Sequence, residues 1–304
     1  MFHFSKKHFI SGMIIGVILF FSYLITLSDS RLHVYFCDVG QGDAAYIRTP
    51  SNQDMLIDGG PDDKVLSCLG RHMPFYDRTI DVVILSHPQK DHLQGLISVI
   101  DRYNVGYFII GVEGNDTEGY KKLIQTIKKK NIKIKNLYTG DSLSLGKVNF
   151  SVLWPERKWV ASQLGSDLQR AEGLTPTTSA VLGLTTDTEL NNFSYYLDLN
   201  YGSFNALFTG DGDSQIQPEI MKNTVLPDID VLKFPHHGSK TGILSEFLDK
   251  IKPELAVISV GKNSYGHPTK EAIELLSNRS ISIKRTDREG DVEIISDGRS
   301  NWTN

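Results

Sequence analysis

Four short apolar runs in this 304-residue chain each break off into acids or histidines, and that repeated arrangement limits the possible fold more than any other feature. Asp81-Val-Val-Ile-Leu leads into Ser86-His87-Pro88-Gln89-Lys90-Asp91-His92. Ala206-Leu-Phe-Thr-Gly ends in Asp211, Val231-Leu-Lys-Phe-Pro runs into His236-His237-Gly, and Val257-Ile-Ser-Val opens the stretch that reaches His267. Runs this short and this apolar read as buried strands. Five of the nine histidines sit at these exits, where side chains converge. As neutral core they would be costly, because every buried imidazole or carboxylate needs a partner. A metal ion supplies one. Imidazole and carboxylate suit zinc, manganese or iron, and a cluster without thiolates points to a hydrolytic site in place of a structural zinc.

The rest of the chain has the texture of mixed strands and helices. Strands are expected at 33–36, 44–48, 55–57, 81–85, 108–112, 132–138, 148–153, 193–199, 205–209, 231–233, 255–259 and within 281–295. Helices are expected at 93–101, 120–130, 214–221, 243–250 and 270–276. Such interleaving without an internal linker describes one layered α/β or α+β domain over residues 31–304. The polar stretch 155–190 breaks the order and reads as a surface loop or lid. In it Trp159 reads as packed on the domain edge, with contact of Arg157, Lys158 and Trp159 to a substrate as the alternative. The lysine-rich stretch 121–135 reads as a solvated amphipathic helix followed by an edge strand.

Residues 1–30 are of another kind. Phe9 to Leu27 is an apolar run without a charge, long enough to cross a bilayer of about 30 Å as a helix. Lys6 and Lys7 precede it and Asp29 follows, so the expected arrangement is a cytoplasmic tail, a single transmembrane anchor and a domain outside the cytoplasm. A cleaved signal peptide with a secreted domain is the alternative. Cys37 and Cys68 are too few for a disulfide framework and are expected to fill core space, one bridge being the most they could form. The balance of 32 Lys+Arg against 36 Asp+Glu, a net charge of −4, excludes a broad electrostatic grip on nucleic acid.

Taken in order, Asp38-Val-Gly-Gln-Gly-Asp43-Ala, Leu56-Ile-Asp58-Gly-Gly, the His87 block, Leu207-Phe-Thr-Gly-Asp211, Pro235-His-His-Gly-Ser239, Tyr265-Gly-His267-Pro and Arg285-Thr-Asp-Arg-Glu-Gly290 resemble the metallo-β-lactamase superfamily. The likeness is closest to the hydrolase domain of the ComEC/Rec2 competence proteins, which import DNA. The resemblance covers roughly Leu32 to Gly298. It implies an α+β fold, a four-layer αββα sandwich with a binuclear site at the shared edge of two sheets. It further implies His87 and His237 as ligands of a first zinc or manganese ion, Asp91, His92 and His267 as ligands of a second, and Asp211 as the bridging carboxylate. His236 is able to exchange with His237. Asp58 resembles a strand-end acid that orders the metal loop, Asp43 reads as an acid behind the ligands or facing substrate, and Lys90 as a phosphate contact or an exposed charge. Gln89 stands where the family has His or Asp; its amide oxygen is a weaker, neutral ligand, so the first ion would either bind loosely or need to be a hard ion such as manganese. Asp91 is also a candidate for proton transfer, with Asp211 beside it in the catalytic set.

These implications give a membrane-anchored, metal-dependent phosphodiesterase acting on DNA through a metal-activated water. Two alternatives stay open: hydrolysis of a small lactone, thioester or phosphate ester, and a non-catalytic binding module with a degenerate metal site. No protein partner follows from the sequence.

Overall fold

The computed structural model describes residues 6–26, 29–165 and 183–303. Fifteen strands are found there: β1 Leu32–Phe36, β2 Ala45–Arg48, β3 Asp54–Ile57, β4 Thr79–Ile84, β5 Asn104–Ile109, β6 Lys133–Lys135, β7 Ser142–Leu145, β8 Val148–Trp154, β9 Tyr196–Tyr201, β10 Phe204–Phe208, β11 Val231–Lys233, β12 Leu255–Ile258, β13 Ser282–Arg285, β14 Val292–Ser296 and β15 Asn301–Thr303. They form an eight-stranded sheet in the order β15-β14-β1-β2-β3-β4-β5-β6 and a seven-stranded sheet in the order β13-β12-β11-β10-β9-β8-β7. Each sheet is antiparallel at one side and parallel at the other, β3 to β6 in the first and β10 to β13 in the second.

Period-two alternation explains why the sheets face each other. In β1, Val34 and Phe36 enter the cluster between the sheets, while Tyr35 joins the outer layer. In β10, Ala206 and Phe208 face inward and Leu207 outward. Strands apolar on both faces are those buried on both faces. Over the first sheet lie α2 Lys64–His72, α3 Lys90–Arg102 and α4 Glu118–Lys129, contributing Val65, Leu69, Leu96, Ile100, Leu123 and Ile127. Over the second lie helices at Gln217–Asn223, Ser245–Ile251 and Lys270–Ser277, contributing Ile220, Phe247, Ile251 and Leu276. Each such side chain contributes roughly 1.5–3 kcal/mol. The result is helices, sheet, sheet, helices, the four-layer α+β arrangement expected.

Several expectations need correction. Cys37 and Cys68 do more than fill core space: both are fully buried and bridged to each other, tying α2 to the end of β1. His72 ends that helix. The stretch 155–190 is not wholly irregular, because Arg157–Leu164 is helical and carries Trp159 onto Trp154 and Phe193 with ring centroids 4.8 and 4.9 Å apart. Residues 166–182 of that stretch lie outside the described residues. At the N-terminus, Lys6–Thr26 is a 21-residue helix, α1, and its described side chains, residues 10–20, are exposed. Among the described residues no helix is long and apolar enough to cross a membrane.

Candidate metal centre

Parallel strands of both sheets end at one edge, and each ends in a candidate residue. Asp58 follows β3, His87 to His92 follow β4, Asp211 follows β10, His236 and His237 follow β11, and His267 lies in the loop after β12. The backbone is strained at this edge: Asp58, His236 and His237 have φ of 61°, 49° and 52°. A non-glycine residue held there costs roughly 1–3 kcal/mol, a cost typically retained where the geometry serves a site. Helix α3 starts inside the block, with Asp91 in its first turn, where the positive end of the helix favours a carboxylate. Gly95 lets α3 approach the β3 exit, since a Cβ there would lie 2.0 Å from the Gly59 carbonyl oxygen. The close approach lets Gly59 donate its N–H to the His92 carbonyl at 2.7 Å.

Ligand atoms of Asp91, His92, Asp211 and His237 all lie within 4.8 Å of one another. The Asp211 Oδ2 is 3.4 Å from His92 Nε2 and 3.3 Å from His237 Nε2, and Asp91 Oδ2 is 3.4 Å from His237 Nε2. Both rings are oriented from behind. His92 Nδ1 bonds Asp58 Oδ2 at 2.9 Å, and His237 Nδ1 donates to the Ser259 carbonyl at 2.9 Å, so each Nε2 is aimed into the group. Asp58 is itself fixed by the Ser86 N–H and hydroxyl, both at 2.7 Å.

The arrangement calls for a cation. Nε2 of His87, His92 and His237, Nδ1 of His236 and His267, and Oδ1 of Asp211 are buried without a hydrogen-bond partner among the described residues. Native interiors rarely leave so many polar atoms unmatched in one place. Protons take up part of the deficit. Burial opposes a charge on His92, yet Asp211 and Asp58 hold it protonated well above the usual imidazole range. For His237, Asp211 and Asp43 overcome burial and raise it to about 10. Burial likewise opposes ionisation of Asp211, but His237 and His92 hold it well below the usual carboxylate range. His87 behaves differently: burial and the charge of His92 push it down to about 3, leaving a neutral imidazole. A divalent cation would replace the protons on His92 and His237 and use both carboxylates.

His237 lies with Asp91, His92 and Asp211. His267 lies outside that group, against His236 at a ring distance of 5.7 Å. Gln89 is half-buried with its amide turned to Glu189 at 3.5 Å, and Lys90 is exposed on the cleft wall. Asp43 sits behind the group, 3.5 Å from His237 Nδ1.

Lys233 was not expected at the site. It lies in β11 as the one charged residue of a wholly buried strand, its ammonium paired with Asp43, donating to the Gly210 carbonyl at 2.8 Å and 3.7 Å from Asp211. Burial works against its charge, but Asp43 and Asp211 raise it above the ordinary lysine value. A lysine inside the apolar run 231–234 was the available signal. Asn191, buried on the cleft wall with an unpartnered Oδ1, had no comparable signal in its polar surroundings.

Two facing sheets between helices, with the site at the strand exits, make this a metallo-β-lactamase fold. The solved structure of YhfI from Bacillus subtilis, a protein of that fold, matches with a TM-score of 0.52 at 14% identity, over 90% of this chain and 100% of that one. In sequence the chain resembles the ComEC/Rec2-type competence proteins. It is 27% identical over 93% of its length to ComE operon protein 3 of Bacillus subtilis, and 25% identical over 88% to Recombination protein 2 of Haemophilus influenzae. The chain spans about a third of the length of these relatives, 35% and 29%. No family model matches it.

Proposed function

We propose that this chain is a metal-dependent hydrolase whose substrate is a phosphodiester, in DNA. One observation carries the reading: four side chains offer ligand atoms within 4.8 Å of each other, with unpartnered imidazole nitrogens aimed into the group from the floor of an open cleft. Asp91, His92, Asp211 and His237 would hold one zinc or manganese ion, and His87 with Gln89 and Asp211 a second, weaker one. When bound, such ions would supply an activated water and neutralise the negative charge on the phosphoryl oxygens. The chain's own part is orientation: Asp58 and Ser259 fix the two rings, Lys233, itself paired with Asp43, holds Asp211 from behind, and Asp91 on the cleft wall is kept ionised against burial by His237 and His92. DNA as substrate is supported by the resemblance to competence proteins. The net charge of −4 favours a small ester instead, and a salt series separates the two, since only nucleic-acid binding weakens steeply with salt.

The same reading has the domain outside the cytoplasmic membrane, on the strength of the apolar run 9–27 and the lysines before it in the sequence. A bridge between Cys37 and Cys68 supports that side, because such bonds persist in oxidising compartments. The test is cleavage of single- and double-stranded DNA by the manganese- or zinc-loaded chain beside its His92→Ala variant. Metal-dependent cleavage that falls by about a hundredfold or more in the variant is expected. Absence of cleavage together with turnover of a lactone would overturn DNA as the substrate.

A further inference from the structure

One segment of the cleft wall has no part in the hydrolytic reading above. Residues 261–268 run from β12 to His267 and turn on Asn263. The Asn263 Oδ1 accepts from the N–H groups of Tyr265 and His267 at 3.0 and 3.1 Å, and its Nδ2 donates to the carbonyls of Gly261 and His267, both at 2.8 Å. At the base of the loop Gly261 lies backbone on backbone against residues 40–41, where a Cβ would fall 2.4 Å from the Gly40 carbonyl carbon. Gly261 also donates its N–H to Gln41 Oε1 at 3.3 Å. One side chain and one close approach thus hold the loop in a single shape.

What the loop holds out is Tyr265. Its ring is 74% exposed and lies 5.8 Å from the His267 ring. Left in water, an aromatic ring forgoes the stabilisation that burial elsewhere would bring. Lys262 beside it and Lys90 elsewhere on the wall line the same cleft, and both are exposed. Among the described residues neither lysine has an ion-pair partner. Apart from Asp91 and Asp211 in the cation group, the acid on the wall is Glu189, which accepts from Gln89.

We infer that Tyr265 is a stacking platform for an unpaired nucleobase next to the reacting phosphate, with Lys262 and Lys90 taking flanking phosphates, so that the cleft receives single-stranded DNA in preference to duplex. The inference rests on the phosphodiesterase reading of the same site. A base within a duplex already has both faces covered, whereas every unpaired base offers a face, and a ring beside lysines is how single strands are gripped without sequence preference.

Binding of the full-length, manganese-loaded protein to a fluorescent single-stranded oligodeoxynucleotide, its abasic counterpart and a duplex tests this by anisotropy. The base-bearing strand is expected to bind about tenfold more tightly than the abasic one. That ratio falls to near one in Tyr265→Ala and is kept in Tyr265→Phe. Lys262→Ala weakens both single strands alike and lowers the slope of log affinity against log salt by about one. A ratio that survives Tyr265→Ala, a loss in Tyr265→Phe as large as in Tyr265→Ala, or duplex bound as tightly as single strand overturns the platform. Cleavage is scored separately. A protein that binds with the base-dependent preference and cuts nothing supports the platform and refutes the phosphodiesterase, while cleavage without that preference does the reverse.

Discussion

Glu113 shows how much one residue is decided by its surroundings. It follows β5 in a loop that pairs with Leu184, its backbone carbonyl accepts from the Tyr120 hydroxyl at 3.3 Å, and its carboxyl is buried with Oε1 unpartnered among the described residues. Burial pushes its pKa from 4.5 up to about 8. The unfolded carboxyl ionises near pH 4.5 while the folded one keeps its proton to about pH 8. Stability from this group is therefore complete below pH 4.5 and is lost as pH rises toward 8. Glu113→Gln removes the ionisation. Its urea midpoint relative to the wild type is expected to rise between pH 5 and pH 8, by stability on the order of 4 kcal/mol. Parallel pH curves for the two chains would mean that Glu113 is ionised in the fold. Nothing in the run Gly-Val-Glu-Gly-Asn marks this acid as buried, since the polar neighbours suggest an exposed turn.

At the scale of elements, the helix α2 makes the same point about packing. Its nine residues include Gly70, its N-cap Asp63 makes no side-chain capping bond, and intrinsic preference alone would not form it. Val65, Cys68 and Leu69 buried on the first sheet hold it, with Arg71 and His72 paired to Asp291 at 2.5 and 2.7 Å. These contacts come from residues far away in sequence, which is why periodicity did not disclose the helix. By contrast β1, β4, β10 and β11 were legible from sequence because burial on both faces writes itself as an apolar run, and the acids and histidines at their exits stood out against it. The approach of His237 to Asp91 was not legible, because it depends on a left-handed backbone turn that two histidines adopt only under tertiary constraint. The bridge from Cys68 to Cys37, 31 residues away, adds a crosslink that stabilises chiefly by restricting the unfolded chain. Reduction, or Cys68→Ser, is expected to cost about 3–4 kcal/mol, visible as a lower denaturant midpoint. An unchanged midpoint after verified reduction would show that packing alone holds α2.

For the whole molecule, the question is how a domain with an open cleft is presented to its substrate. The proposed location outside the cytoplasmic membrane rests on two features, the apolar run 9–27 of the sequence and the bridge. The run has the length and flanking charges of an anchor in sequence, although among the described residues no helix is long and apolar enough to cross a membrane, and a disulfide is a bond that persists in an oxidising space. The bridge begins at Cys37, ten residues beyond Leu27, so a chain inserted with Lys6 and Lys7 inside would carry both cysteines across. The full-length protein, expressed in a bacterium with an oxidising exterior compartment, is expected to stay with membranes after alkaline carbonate extraction. Protease added outside spheroplasts should degrade the domain, and a maleimide should fail to label Cys37 or Cys68 unless a reductant is added first. Release into the soluble fraction at full length would remove the anchor. Retention in the membrane with both thiols free and the domain protected would invert the proposed orientation.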